Sequence, residues 1–260
     1  MDVHDRIGAL AAWIVTRPAR RWFFDRADVR EVDFPSEDGL LLRGWFADVP
    51  GARGTVVLGH GYRDDRRQLA AMIPALAVLG LRALLIDFRA HGRSAGSRIT
   101  IGVEEARDVR ASLAWARKLS GPASYLGFSM GAAAYLLCRE EAHCAVIDSP
   151  YDTLEHAIEV RGRFVRASAS LVDAFRRAKR ARTEVTIEQI HPIAAVPTLA
   201  RPTLFVFARG DRWIGPEVRG RYQAALSPSC EYTEVDGPHD GHFDAGWIVR
   251  VARFLEAHAT

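Results

Sequence analysis

The stretch Gly127-Phe128-Ser129-Met130-Gly131 is the part of this chain best suited to covalent chemistry. The apolar run 124–126 leads into it and the helical-looking run 132–138 leads out. A serine at a sharp strand-to-helix turn is held with its hydroxyl projecting above the sheet edge. Glycines two places before and two places after leave room for the neighbouring backbone. The same turn aims the first amides of the new helix at the reaction centre, where the Met130 N–H can stabilise an oxyanion.

A serine nucleophile needs a base to take its proton and a carboxylate to orient that base. In a strand–turn–helix setting the acid follows a later strand and the base follows the last one. Asp211 stands directly after the apolar run 203–207, beside Gly210. Asp148, closing the strand after the serine turn, is the alternative acid, because a carboxylate there could also reach the histidine. The final loop, 236–243, offers both His239 and His242 among turn-forming residues. His239 lies nearer the strand end and leaves a full loop before the closing helix; His242 is its rival as base. A second oxyanion donor should come from the loop after the run 55–59, where His60-Gly61-Tyr62 stands, so the Tyr62 N–H is the candidate. Gly61 permits close backbone approach, and His60 reads as a structural residue of that loop.

These groups require a scaffold, and the chain supplies alternating strand and helix patterns. Runs 30–34 and 40–46 alternate in polarity around Pro35-Ser36-Glu37-Asp38-Gly39 and predict an antiparallel hairpin. Continuous apolar runs at 55–59, 81–86, 124–126, 144–147 and 202–208 predict buried parallel strands, and 230–235 a further one. Helices are predicted over 68–79, 103–119, 132–138, 216–226 and 244–258. Strand signals vanish over 151–196, where apolar and basic residues recur at helical spacing. That segment predicts a helical cap inserted into a single domain spanning 1–260. The alternation gives an α/β fold: a mostly parallel sheet with helices on both faces and a β-hairpin at its start. The cap should roof the site, with Tyr151 and Trp213 facing one cavity from opposite loops and Tyr62 completing a partly aromatic wall.

An apolar share of 48% with a formal charge of +3 describes an ordinary globular protein. The arginines of 161–182 are interleaved with apolar residues, as on solvated helix faces, so no nucleic-acid partner is expected. Cys138, Cys144 and Cys230 lack metal-ligand spacing and read as reduced thiols of a cytoplasmic protein; no metal and no cofactor is expected. The apolar run 7–15 is too short to span a bilayer, and Asp2 and Asp5 spoil a signal-peptide start. Trp13, Arg17, Arg20, Arg21 and Trp22 would suit a membrane surface, but a helix packed on the domain is the preferred reading.

Taken together, His60-Gly61-Tyr62, the segment Asp87-Phe88-Arg89-Ala90-His91-Gly92-Arg93-Ser94, the serine turn, Ser149-Pro150-Tyr151, Gly210-Asp211 and the 237–239 loop resemble the α/β-hydrolase superfamily. The likeness is nearest to the serine-aminopeptidase-like and dienelactone-hydrolase-like group and covers roughly 37–258. It implies a triad of Ser129, Asp211 and His239, and a structural role for the Asp87–Ser94 loop. The function it implies is hydrolysis of a carboxylic ester, thioester or small amide through an acyl-enzyme, carboxylesterase- or thioesterase-like, on a small acyl substrate. A non-catalytic binding protein of the same fold, or an acyltransferase, is the alternative.

Overall fold

The structure, a computed structural model, describes residues 2–21 and 26–260. Eight strands form one sheet in the order β1-β2-β4-β3-β5-β6-β7-β8. They are β1 (Arg30–Pro35), β2 (Leu41–Ala47), β3 (Gly54–Gly59), β4 (Leu81–Asp87), β5 (Ala123–Phe128), β6 (Ala145–Asp148), β7 (Thr203–Ala208) and β8 (Cys230–Val235). β2 runs antiparallel to both β1 and β4, and every other pairing is parallel. The central strands β3, β5, β6 and β7 are buried along their whole length, whereas β1 alternates and β8 is only partly covered. That is the pattern of a parallel sheet covered on both faces and ending in two edges.

Alternate side chains feed two cores. Val57, Leu84 and Ile86 join Val109 and Leu113 of α3 (Glu105–Ala116), the alanines of α4 (Met130–Cys138), and Val218 and Tyr222 of α7 (Pro216–Ala225). Val56, Leu58, Ala83 and Leu85 point the other way, against Met72, Ile73 and Leu76 of α2 (Met72–Val78) and Trp247, Val251 and Leu255 of α8 (Ala245–His258). Helix α2 is shorter than the predicted 68–79. Pro74 has no N–H to donate back to residue 70, so it is tolerated only in a first turn. Residues 68–72 instead form tight turns, with Ala70 N–H bonded to Arg67 O and Met72 N–H to Leu69 O. Likewise α3 ends at Ala116, short of the predicted residue 119, as Lys118 and Leu119 turn tightly onto Trp115 and Ala116.

Between β6 and β7 the chain forms α5 (Leu154–Phe164), α6 (Ala169–Thr183) and two 3₁₀ segments, Ile187–Gln189 and Pro192–Thr198. Thr153 and Ser168 cap the two helices through their side-chain oxygens. Helix α1 (Val3–Thr16) lies against α6. Its buried residues Gly8, Ala12 and Thr16 recur every fourth position, a stripe small enough for close helix approach. A Cβ on Gly8 would stand 2.6 Å from the Ala174 carbonyl carbon, so the contact is built for glycine. Val3, Ile7, Leu10, Trp13 and Ile14 remain exposed, and the Arg17 guanidinium lies over the Trp13 ring. Trp22 lies outside the described residues. No helix of the described residues is long and apolar enough to cross a membrane.

The Asp87–Ser94 loop is a structural knot. Asp87 accepts from the Arg66 and Arg93 backbone N–H groups at 2.8 Å each and from Arg66 Nε at 2.9 Å. Arg89 donates to Asp108 and Asp38, and Ser94 Oγ donates to Asp87 O while accepting from the Arg43 N–H. These bonds tie the hairpin, β4 and α3 together beneath the site.

Candidate active site

Ser129 sits between β5 and α4 with φ 50° and ψ −108°, a conformation that L-residues rarely adopt. Its own N–H is bonded to Asp148 O at 2.8 Å, which fixes the turn to β6. The flanking glycines are required by contact. A Cβ on Gly131 would lie 2.4 Å from Gly59 O and 2.8 Å from His60 O, and one on Gly127 would lie 2.8 Å from Ala132 N. Gly131→Ala should therefore push the end of β3 away from α4, lowering stability by about 2 kcal/mol. Denaturant titration checks this, and a loss under a few tenths would mean that the turn is not tightly packed.

The three residues expected to act together are brought together. Asp211, after β7, accepts the Nδ1–H of His239, and its other oxygen accepts from the Trp213 and Ile214 N–H groups at 2.7 and 2.9 Å. His239 Nε2 lies 2.9 Å from Ser129 Oγ. A carboxylate can only accept, so the imidazole proton sits on Nδ1 and Nε2 keeps a lone pair towards the serine hydroxyl. Burial works against the Asp211 charge. Its hydrogen bond with His239 and the two backbone donors outweigh it and hold the carboxyl below its ordinary value.

The rival pair is also brought together, but with each other. His242 Nε2 stands 2.9 Å from Asp148, and its Nδ1 stands 3.1 Å from Pro238 O. Both partners only accept, so both ring nitrogens donate and the ring is an imidazolium with no lone pair. Asp148 is completed by Trp247 Nε1 at 2.7 Å and Ser149 Oγ at 2.8 Å. This buried pair fastens the 237–243 loop to β6 and α8. Burial opposes the charge on His242, but the Asp148 bond and charge win and raise its pKa. A raised value means that the pair's stabilisation is full below about pH 6.5 and fades as pH rises through the folded-state pKa. His242→Gln should thus destabilise the protein more at pH 6 than at pH 9. Paired denaturation curves at the two pH values check it; an equal difference at both would remove the imidazolium.

On the other side of Ser129, two neutral histidines shape the loop after β3. His60 Nε2 accepts from the Phe88 N–H, so its Nδ1 donates to Gly61 O; His91 Nε2 accepts from the Arg63 N–H and its Nδ1 donates to Arg89 O. Burial lowers the pKa of both, in keeping with the neutral tautomers these bonds need. Gly61 N–H is held by Gln68. Among the described residues the Tyr62 and Met130 N–H groups have no protein acceptor. The Tyr62 hydroxyl donates to Val15 O at 2.7 Å and Arg63 Nη1 to Ile14 O at 3.0 Å, joining this loop to the C-terminal end of α1.

A cavity of about 260 Å³ opens beside Ser129 and Met130, lined chiefly by apolar side chains of α1, α5 and α6. Tyr62 and Tyr151 line it, with the Tyr151 hydroxyl bonded to Ile101 O at 2.6 Å. Trp213, expected on this wall, is not among the lining residues. Its N–H is drawn to Asp211, and its ring packs edge-on against Phe164 of α5 under the guanidinium groups of Arg161 and Arg212. Contributors missed from sequence include α1, through Ala11 and Val15, Ile101, and Arg161 of α5. The small-residue stripe of α1 was the available signal for the first. Nothing local distinguishes Arg161 from the surrounding arginines. Among the described residues no group of three or more His, Cys, Asp or Glu could hold a metal ion.

Residues 50–151 match the family model described as "Serine aminopeptidase, S33". The chain is similar to the uncharacterized protein YqkD of Bacillus subtilis, with 22% identity over 227 residues, covering 83% of this chain and 74% of that one. Among solved structures it is similar to the Pyrococcus furiosus esterase Pf2001, with 25% identity and a TM-score of 0.77 over 95% of this chain and 99% of that one. The enol-lactonase from Burkholderia xenovorans shares the fold, with 18% identity and a TM-score of 0.66 over 86% and 99% of the two chains. With its sheet order, its hairpin start and its serine turn between β5 and α4, the chain has the α/β-hydrolase fold of these esterases.

Proposed function

We propose that the protein is a serine hydrolase that cleaves a carboxylic ester of a small to medium acyl group through an acyl-enzyme. The observation that carries this reading is the hydrogen-bonded row from Asp211 through His239 to Ser129 at a strained turn. Ser129 Oγ attacks the ester carbonyl while its proton passes to His239 Nε2, and Asp211 stabilises the imidazolium that forms. The Met130 and Tyr62 N–H groups receive the oxyanion, each contributing about 3 kcal/mol by analogy with other hydrolases. His239 then returns the proton to the leaving alcohol. In the second half-reaction it takes a proton from water, which attacks the acyl-serine and frees the acid. His242 serves as a brace for the loop rather than as the base.

Esters are favoured over peptides by the cavity. Its walls are apolar, and the charged side chain among its lining residues is the cationic Arg161, which would repel the free amino terminus of an aminopeptidase substrate. The names of two similar structures, an esterase and an enol-lactonase, support the same class. Incubation with a fluorophosphonate, followed by peptide mapping, tests the mechanism. The adduct is expected on Ser129; a protein that stays unlabelled, or labels elsewhere, refutes it.

A further inference from the structure

Arg161 is out of keeping with the cavity it lines. Its neighbours there are Ala157, Ile158, Val165, Tyr62 and Tyr151. One of its nitrogens, Nη1, donates to Ala157 O in its own helix at 3.1 Å, and the guanidinium carbon stands 5.1 Å from the centre of the Trp213 ring. Neither partner neutralises a charge. Among the described residues no carboxylate lies within ion-pair distance of it, whereas Arg66, Arg89, Arg176 and Arg219 each have one. Asp211 and Asp240 act on it only at longer range, and Asp211 is already engaged by His239. Arg161 is exposed at the mouth of the cavity, and crowding by nearby protein atoms lowers its pKa by desolvation. A second cation, Arg212, rests on the same Trp213 ring and on Phe164, so the local field is more positive still.

A guanidinium with spare donors at the mouth of an apolar space is a receptor for an anionic oxygen group. Planar donors match a carboxylate, and low surrounding polarity strengthens the pair. We propose that Arg161 is a specificity-determining residue that binds a carboxylate carried by the acyl part of the substrate, so that the preferred substrates are half-esters of short dicarboxylic acids. The inference rests on Ser129 being the nucleophile. The acyl part is assigned because it stays in the cavity through the acyl-enzyme stage, while the alcohol leaves. The volume of about 260 Å³ falls just under the roughly 300–1,000 Å³ of drug-sized sites, which suits a chain of a few methylenes between the two carbonyl carbons. Those methylenes would meet the apolar side chains of α5 and α6, with the carboxylate at Arg161.

The test compares mono-4-nitrophenyl adipate with its uncharged counterpart, methyl 4-nitrophenyl adipate. The expected ratio of kcat/KM favours the anion, and Arg161→Gln should lower that ratio about ten- to hundredfold, as for loss of a hydrogen-bonded ion pair. Raising the salt concentration should narrow the ratio in the unaltered protein, which gives a readout independent of any variant's folding. Monomethyl adipate binding by calorimetry, to Ser129→Ala with and without Arg161→Gln, reads the carboxylate contact without turnover. A wild-type preference for the neutral ester, or a ratio unmoved by Arg161→Gln while the melting temperature drops, overturns the proposal and leaves Arg161 as a structural partner of Trp213. Failure of the fluorophosphonate to label Ser129, with calorimetric binding still dependent on Arg161, would instead overturn the serine mechanism alone.

Discussion

Ser129→Ala is expected to lower kcat on activated esters by about 10⁴-fold or more and to abolish fluorophosphonate labelling. The size follows from the chemistry: an alanine leaves the base, the carboxylate and the oxyanion amides in place but removes the atom that forms the acyl bond. What remains is attack by water in a preorganised site. The fold should survive, because Ser129 Oγ bonds to His239 alone among the described residues and the turn is held by backbone bonds and the flanking glycines. Circular dichroism and a denaturation curve on the same preparation separate the two effects. Turnover retained within tenfold would move the nucleophile elsewhere.

His239→Ala should come second in size, with kcat falling about 10⁴-fold, whereas His242→Gln should lower kcat less than tenfold and act mainly on stability. The two rings lie in one loop and both touch a carboxylate, so the contrast rests on their nitrogens. His239 has an unprotonated Nε2 facing Ser129 Oγ at 2.9 Å, while His242 spends both N–H groups on Asp148 and Pro238 O. Steady-state kinetics and melting temperatures on both variants check this. A larger kinetic loss in His242→Gln than in His239→Ala would reverse the assignment.

The fold was largely legible because its strands declare themselves. Val56-Val57-Leu58 and Leu84-Leu85-Ile86 are apolar on both faces, which only a sheet covered on two sides can accommodate. The serine turn was equally open to reading, since Gly127 and Gly131 answer to backbone packing that any such turn must satisfy. Helix ends were less legible. The start of α2 was set by the missing N–H of Pro74, whereas the periodicity alone ran four residues further back. Choosing between His239 and His242 depended on which acceptor each nitrogen meets, a three-dimensional fact. Trp213 was misplaced for a similar reason: its position beside Asp211 was plain, but its ring direction is set by Phe164, nearly fifty residues away in sequence. The cavity lining extends beyond 151–196 because α1 reaches it from the far end of the chain; its small-residue stripe announces a close helix contact but not which helix makes it.

The phenol of Tyr62 gives this architecture a mechanical property. Its backbone N–H belongs to the loop that would hold the oxyanion, while its hydroxyl is tied to Val15 O at the end of the helix that lines the cavity with Ala11 and Val15. The α1 wall of the cavity and the Tyr62 loop are thus two arms of one lever, linked at the Tyr62 hydroxyl and beside it at Arg63. An acyl chain long enough to press on α1 loads that linkage, so chain length should register in kcat as well as in KM. Cutting both links with Tyr62→Phe and Arg63→Ala should let the two parameters vary independently along an ester series.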